Sequence, residues 1–319
     1  MTRLSPQIKD AARKAGFDAV GISRVDDPPV HETLRARLMD WLARSFEAGM
    51  SWMAKDPERR ADPHRVLPGC RSIISVGINY YTAERADERP GHGRIARYAW
   101  GRDYHELFGE RLEALRQRLT ALAPDHTFRW YVDTGPVMEK AWAQQAGIGW
   151  IGKHSNLVSA RHGSWLLLGE ILTTLDLDPD EPAADLCGTC TLCLRACPTG
   201  AIAEPYVVDA ARCISYLTIE LRGDGHRIPD ELAARMGNRI FGCDDCLDVC
   251  PYNTQATPTD EPAFQPTSLT LAPRLADLEQ MNEPEFSATF RHSAIRRPKL
   301  AGFLRNVRIA RKNQQPVAG

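Results

Sequence analysis

Short apolar runs alternate with polar, proline-marked connectors along the chain, and the period of each run predicts its element. Ser5 and Pro6 form an N-cap and first-turn pair for a helix that carries Ile8, Ala11, Ala12 and Ala15 and stops at Gly16. FDAVGIS then reads as a strand. An amphipathic helix is expected around Trp41 to Trp52, followed by the polar connector KDPERRADPHRVLPG. RSIISVGINY, residues 71–80, is the strongest strand signal, and TAERADERPGHGR after it reads as a charged loop able to lie over a site. Asp103 predicts a capping box with Glu106, opening a helix whose Phe108, Leu112, Leu115, Leu119 and Leu122 repeat at steps of four and three. FRWYVD, residues 128–133, is a strand that ends at Asp133-Thr134-Gly135-Pro136. VMEKAWAQQAG is the helix after it, and SWLLLGEILTT, residues 164–174, another buried strand. In open α/β sheets ligands sit beyond the carboxyl ends of strands, which places Asp133 where chemistry would occur. Asp-Thr-Gly-Pro is also good turn chemistry, so a purely local role stands beside the catalytic one.

After the boundary segment DLDPDEPAAD the pattern changes from periodic to cysteine-rich. CGTCTLCLRACP sets Cys187, Cys190, Cys193 and Cys197 at the C-x2-C-x2-C-x3-C-P spacing of bacterial ferredoxins. A second run, CDDCLDVCP, has Cys243, Cys246 and Cys250, but Ile240 stands where its first cysteine would be. In two-cluster ferredoxins the fourth cysteine of each run ligates the other cluster. One 4Fe-4S set is therefore Cys187, Cys190, Cys193 and Cys250. The other is Cys197, Cys243 and Cys246, completed by Cys213, the remaining cysteine between the runs. Zinc also favours C-x2-C pairs, and disulfides are a further alternative, but both suit this spacing less well. Cys70 is left over and reads as a small buried apolar residue.

Composition changes the picture little. With 319 residues, 43% hydrophobic, 25% charged and a net charge of -1, the chain is an ordinary globular one of about two domains. No signal peptide and no run long enough to span a membrane is evident, so the thiols are expected to stay reduced in the cytoplasm. The charge distribution says more. Arg291, Arg296, Arg297, Lys299, Arg305, Arg308, Arg311 and Lys312 occur from residue 291 onward with no acidic residue. Leu300, Phe303, Leu304, Val307 and Ala310 recur there at helical steps. Arg305, Arg308 and Lys312 are expected to project from the other side of that helix toward a polyanion. GIGWIG, with Gly147, Gly149 and Gly152, matches the dinucleotide fingerprint but follows a helix instead of a strand, so a glycine-permitted turn is the better reading. The next residues, Lys153-His154-Ser155-Asn156, supply polar groups on a tight loop.

RYAWGRDYH from Arg97, DTGPVMEKAWAQQAGIGWIGKHSN from Asp133, CGTCTLCLRACPTGAI, RCISYLTIE from Arg212 and FGCDDCLDVCPYN from Phe241 together resemble the epoxyqueuosine reductase family over nearly the whole chain. The resemblance implies an α/β (α+β) cobalamin-binding domain over residues 1–176, a ferredoxin-like two-cluster 4Fe-4S domain over 177–260, and a basic, HEAT-like helical segment over 261–319. It implies reduction of epoxyqueuosine to queuosine at the wobble position of tRNAs with GUN anticodons, by a cytoplasmic monomer fed by an external electron donor. Asp133 matches the proposed proton donor. A general acid must hold its proton near neutral pH, so Asp133 is expected to be desolvated by the aromatic residues of its strand. The cobalamin contacts implied are Arg60, Arg97, Tyr98, Asp133, His154, Ser155, Asn156, Ser215, Thr218, Phe241, Gly242 and Asp244, and Arg222 joins Arg305, Arg308 and Lys312 as tRNA contacts.

The chemistry agrees. Clusters pass electrons singly, whereas converting an epoxide to an alkene takes two electrons and two protons and releases water, so a second centre must accumulate electrons. The D-x-H-x-x-G pattern that supplies a histidine to cobalt is missing, since its nearest match, Asp224, His226 and Pro229, ends in the wrong residue. The chain also departs from the family in its short C-terminal region. A reductive-dehalogenase-like corrinoid enzyme and a non-catalytic electron-transfer ferredoxin are the rival readings. The first is typically exported with a twin-arginine signal that this chain lacks; a cobalt assay would separate out the second.

Overall fold

The computed structural model describes residues 4–86, 89–222 and 227–315. Helix α1, Leu4–Lys14, buries Ile8 and Ala12 and ends at Gly16, whose φ of 89° suits a residue without a side chain. Strands β1 (Ala19–Arg24), β2 (Ser72–Asn79), β3 (Phe128–Tyr131) and β4 (Leu166–Thr173) form one sheet in the order β1-β2-β4-β3. Every pairing in it is antiparallel. The rule about carboxyl ends, which belongs to parallel sheets, therefore does not apply here. Asp133 lies instead just past the end of the edge strand β3.

Side chains alternate across a strand, and the two faces of the sheet have separate cores. Ile74, Val76, Ile78 and Ile171 pack with α1 and with α3, Tyr104–Leu122, which contributes Phe108, Leu112, Leu115 and Leu119. The opposite face carries Ile73, Leu172 and, by the same alternation, Ser75 and Glu170. It is covered by α4, Glu139–Gln145, through Ala141, Trp142 and Ala143. A side chain at Gly21 would collide with the Ala146 carbonyl, so glycine there lets the end of α4 lie against β1.

Several local expectations need correcting. The helix expected at 41–52 is α2, Pro28–Ala43, opened by Asp27 and a proline at its start. After it the chain turns at Ser45 and Ala48, whose φ values of 54° and 52° no helix can hold. The segment is instead a bridge. Trp41 Nε1 donates to Val208 O at 2.7 Å, and Tyr216 OH accepts from Gly49 N at 2.9 Å, fastening it to the cysteine-rich region. Within the polar connector, Pro57–Ala61 is helical. Asp103 caps α3 by accepting from His105 N at 3.0 Å, but Glu106 does not close a capping box, because it binds Arg102 and His292. GIGWIG is a turn into the hairpin Trp150–Ile151 with Leu157–Val158, as its glycines suggest.

Packing crosses the boundaries drawn from composition. Arg239–Phe241 pairs in parallel with Arg94–Ile95. Around that pair Ile95, Trp100, Ile240 and Phe241 share a core with Phe286, Phe290, Phe303 and Val307. The last two phenylalanines and Phe286 form a trio with ring centroids 5.2 to 5.4 Å apart, and burying each such ring is worth about 1.5–3 kcal/mol. Helix α5, Lys299–Gln314, is thus docked on the cluster region by the predicted face. Its buried Asn306 reinforces the contact, with Nδ2 donating to Thr218 O at 2.8 Å and to Ile240 O at 3.0 Å.

Candidate functional site

Beyond β3 the chain turns sharply, with Thr134 N donating to Val132 O at 2.5 Å. Asp133 at the turn has φ 55°, a left-handed conformation that aspartate tolerates better than most residues. Its amide donates to Glu139 Oε1, on the first turn of α4, at 2.5 Å. Its carboxylate Oδ2 lies 3.3 Å from His105 Nε2. The other nitrogen of that ring, Nδ1, is 2.7 Å from Asp103 Oδ1, and the ring stacks on Tyr104 at 4.1 Å. Asp103, His105 and Asp133 therefore form one line from the cap of α3 to the strand end.

The electrostatics of this line overturn the expected state of Asp133. Its side chain is 61% exposed, and the hydrogen bond from His105 holds its pKa below the usual carboxylate value. Burial alone would lower the pKa of His105, but hydrogen bonds to Asp103 and Asp133 overrule it and push it up to about 9. At neutral pH the proton therefore resides on His105, beside an ionised Asp133. Glu139 behaves oppositely: burial first, then the charge of Asp133, pushes it well above the usual carboxylate range. Lys140 faces the same hollow, and crowding by protein lowers its pKa even though its side chain reaches solvent. The charges it feels are Glu139, Asp133, Cys246 and Cys213, which places it between the strand end and the cysteines. Sequence reasoning singled out neither His105, Glu139 nor Lys140, although all three lie within its quoted motifs. A charged pair opening a helix whose next residues are Ala-Trp-Ala is a signal it could have used.

The cysteines gather in two sets. Cys193 and Cys250 both feel Cys187 and Cys190, whereas Cys213 feels Cys197, and Cys246 feels Cys243, Cys213 and Cys197. Among the described residues, His31, Asp62 and His64 are the group of three ligand atoms mutually within 4.8 Å, and no cysteine set is that compact. A tetrahedral zinc site with bonds of about 2.3 Å would bring its sulfurs closer than that, so the spread favours a larger centre. Trp150 Nε1 donates to Cys187 Sγ at 3.4 Å and Ala201 N to Cys197 Sγ at 3.2 Å. Cys70 is fully buried, its thiol pushed up to about 12 by burial, in keeping with a core residue.

The other sequence-selected residues divide between the hollow and the framework around it. Arg60, half-buried, donates to Trp52 O at 3.2 Å beside the exposed Trp52 ring. Tyr98 feels Asp244 and Asp133 and packs its ring against Phe241 at 6.0 Å. Ser155, at φ 63°, accepts from Lys140 Nζ through its carbonyl at 2.7 Å, and Ser215 lies beside Cys213. Gly242, at φ 67°, follows Phe241 at the base of the region. The Ser155 hydroxyl donates to Tyr206 O at 2.6 Å, and four further candidates are engaged by the protein itself. Arg97 Nη1 donates to Thr82 O at 2.7 Å and Glu84 O at 2.9 Å, and the cation lies 4.5 Å over the Trp100 ring. Asp244 is buried, is pushed up to about 6 by that burial, and accepts from Arg97 N at 2.7 Å. Thr218 Oγ1 donates to Ile214 O at 2.7 Å and accepts from Gly242 N at 2.9 Å. His154 is 4% exposed: its Nδ1 accepts from Asn156 N at 3.1 Å, which leaves Nε2 to donate to Ser164 Oγ at 3.2 Å. Burial pushes its pKa down to about 4, so it is a neutral ring that shapes its loop. Asp224 and His226 lie outside the described residues.

The C-terminal charges also require a correction. Arg305 does not project outward: Nη1 donates to Leu221 O at 2.9 Å and Nη2 to Leu217 O at 2.6 Å. Nor are its neighbours without acids, which come from elsewhere in the chain. Glu279 lies 3.5 Å from Arg308 and also pairs with Arg311, while Glu220 binds Arg297 through two bonds at 2.9 and 3.0 Å. Arg222 sits 3.5 Å from the same Glu220. Lys312 is exposed.

A proton-bearing pair beside two gathered sets of four cysteines defines an oxidoreductase of the iron-sulfur class. Comparison with known proteins specifies it further. Residues 60–134 match the family model described as epoxyqueuosine reductase QueG, DUF1730, and residues 186–253 match the 4Fe-4S double cluster binding domain. The epoxyqueuosine reductase of Synechocystis sp. is 46% identical over 288 residues, spanning 90% of this chain and 98% of the relative. That of Escherichia coli is 42% identical over 317 residues, spanning 98% and 82%. A crystal structure of epoxyqueuosine reductase with an epoxyqueuosine-modified tRNA-Tyr stem loop superposes with a TM-score of 0.90 at 31% identity, covering 98% of this chain and 81% of that one. A Bacillus subtilis epoxyqueuosine reductase, solved with its catalytic aspartate loop swung out of the active site, gives a TM-score of 0.89 at 30% identity, with coverages of 98% and 82%. The chain belongs to the epoxyqueuosine reductase family.

Proposed function

We propose that this protein reduces the epoxide of epoxyqueuosine in tRNA to the alkene of queuosine, consuming two electrons and two protons and releasing water. The observation that carries the reading is the Asp103-His105-Asp133 line, which ends in an exposed carboxylate, with Lys140 feeling both that carboxylate and the thiols of Cys213 and Cys246. Asp133 presents a proton to the leaving epoxide oxygen, and His105 is the group that stores it at neutral pH. Cys187, Cys190, Cys193 and Cys250 hold one 4Fe-4S cluster, and Cys197, Cys213, Cys243 and Cys246 hold the other, nearer to Asp133. An external donor supplies electrons to these clusters one at a time.

Cobalamin, a large and partly anionic group, would meet two desolvated cations, Arg60 and Lys140, and the desolvated phenols of Tyr98 and Tyr104. Arg60, Tyr98, Ser155, Asn156 and Ser215 would hold it, with Arg97, His154, Thr218, Phe241, Gly242 and Asp244 bracing them from behind. When bound, cobalamin supplies a cobalt centre able to accumulate the two electrons. Arg222, Arg308 and Lys312 serve the tRNAs with GUN anticodons, with the C-terminal helices as the HEAT-like part. The protein acts as a cytoplasmic monomer. Among the described residues no helix is long and apolar enough to cross a membrane.

The test is anaerobic purification, quantification of iron and cobalt, and turnover of an epoxyqueuosine-modified stem loop with a chemical reductant. Formation of the queuosine stem loop that requires both metals is the expected result. Full iron with no turnover under any cobalamin loading would overturn the reading.

A further inference from the structure

One buried carboxylate in this molecule has no local explanation. Glu170, on β4, is completely buried and neither of its oxygens has a hydrogen-bond partner. It sits in the sheet between Ser75 and Tyr131, and the Ser75 hydroxyl is equally buried and unpartnered. Native interiors rarely leave such groups unsatisfied, so one that persists calls for a reason. Burial first, and then the charge of Glu139, raises its pKa far above the usual value. Glu139 in turn reaches outward, its Oε1 accepting from the Asp133 amide at 2.5 Å. That bond fastens a residue in the left-handed region, φ 55°, where a side chain other than glycine's is strained.

We infer that Glu139 is the positioning residue of the Asp133 loop: it clasps the Asp133 amide and so aims that carboxylate at His105. Two neighbouring carboxyl groups in a desolvated interior do not ionise together. Glu170 is wholly enclosed and stays neutral, so any charge of the pair appears on Glu139, which burial and the charge of Asp133 hold back from ionising. The charged and titratable groups facing Glu139 are Glu170 from β4, Asp133 from the turn after β3, Tyr104 and His105 from α3 and Lys140 from α4 itself. A neutral Glu139 still accepts the amide bond through its carbonyl oxygen, without adding a second negative charge beside Asp133. When Glu139 ionises at alkaline pH, that charge disfavours the bent loop. The clasp deepens the reductase reading and rests on it for its catalytic meaning, but the loop geometry can be tested without turnover.

The experiment compares Glu139→Gln and Glu139→Ala in the holoenzyme. Its readouts are amide hydrogen exchange across residues 132–136 and turnover of the epoxyqueuosine-modified stem loop from neutral to alkaline pH. Glu139→Ala loses the acceptor, so exchange at the Asp133 amide should rise roughly tenfold. Its kcat should fall by a similar factor, with KM for the stem loop unchanged. Glu139→Gln keeps an acceptor oxygen but cannot ionise. It should match the parent at neutral pH and lose the lower of two alkaline inflections, retaining the one that His105 sets at about 9. Parent-like exchange in Glu139→Ala, or equal damage by Gln and Ala, would overturn the inference. A parent enzyme that fails to reduce the stem loop while the exchange difference persists would sink the reductase reading and leave the clasp standing.

Discussion

The hollow beyond β3 and the helix α5 are both rich in charge, yet they use it in opposite ways. In α5 three of the cations are engaged by the fold: Arg305 by the Leu217 and Leu221 carbonyls, Arg308 and Arg311 by Glu279. In the hollow, charges of both signs are crowded, and three groups change protonation behaviour as a result: His105 upward, Glu139 upward, Lys140 downward. A structural cation matched by carbonyls has little left to offer a partner. Groups whose pKa values are driven apart by one another are poised to move protons. A count of charged residues measures neither; what matters is which polar atoms the fold has already engaged.

The largest effect should come from the hollow. Asp133→Asn keeps the turn and most of its hydrogen bonding but cannot deliver a proton, so kcat should fall by about a hundredfold or more with iron content and stem-loop binding unchanged. Parent-like turnover would reduce Asp133 to a turn residue and erase the contrast. In α5, Arg305→Ala should cost about 2 kcal/mol of stability by leaving buried carbonyls unpaired, measured by denaturant unfolding of the loaded protein. Its effect on tRNA affinity should be small, and a loss of affinity without a loss of stability would reverse the assignment.

Glu170→Gln sharpens the hollow's side through pH. A carboxyl group whose folded pKa lies above its unfolded value near 4.3 contributes stability that is complete below that value and lost as pH rises. Removing the acid should therefore raise Tm modestly, and more at pH 8 than at pH 5. An increment independent of pH would mean that Glu170 is not held neutral. The smallest effect belongs to Lys312→Ala at the exposed end of α5. It should leave stability within about 0.5 kcal/mol, weaken modified and unmodified tRNA alike, and reduce the salt slope by about 1.

Much of this arrangement could be read from the chain. The two long central strands, the Phe108-to-Leu119 stripe and the docked face of α5 follow from periodicity, because burial on one side imposes it. The nearness of Cys213 to Cys197 and Cys246 was reached by elimination, because Cys213 is the one cysteine between the two runs. What escaped was everything set by partners distant in sequence. Nothing near Asp133 reveals that His105 holds it ionised, and nothing near Arg305 reveals that Leu217 and Leu221 accept its protons. His154 looked like a free polar group on a loop until its neighbours Asn156 and Ser164 occupied both nitrogens. The helix at Pro28–Ala43 was missed because, of its residues, only Leu38 is buried, so it carries almost no apolar rhythm.

The crossed cysteine sets have a consequence for synthesis. Cys250 feels Cys187 and Cys190, and Cys246 feels Cys197 and Cys213, so neither set is complete until the last run has left the ribosome. The strand Arg94–Ile95 likewise waits for Arg239–Phe241. Until then a nascent chain presents five thiols, from Cys187 to Cys213, with no finished centre to bury them. Local contacts form first and distant loops close late, which makes the sheet an early-folding unit and metal loading a terminal event. An oxidant or a shortage of iron during that interval would act on the half-made protein and not on the finished one, and cells would show it as lost yield, with the surviving molecules fully active.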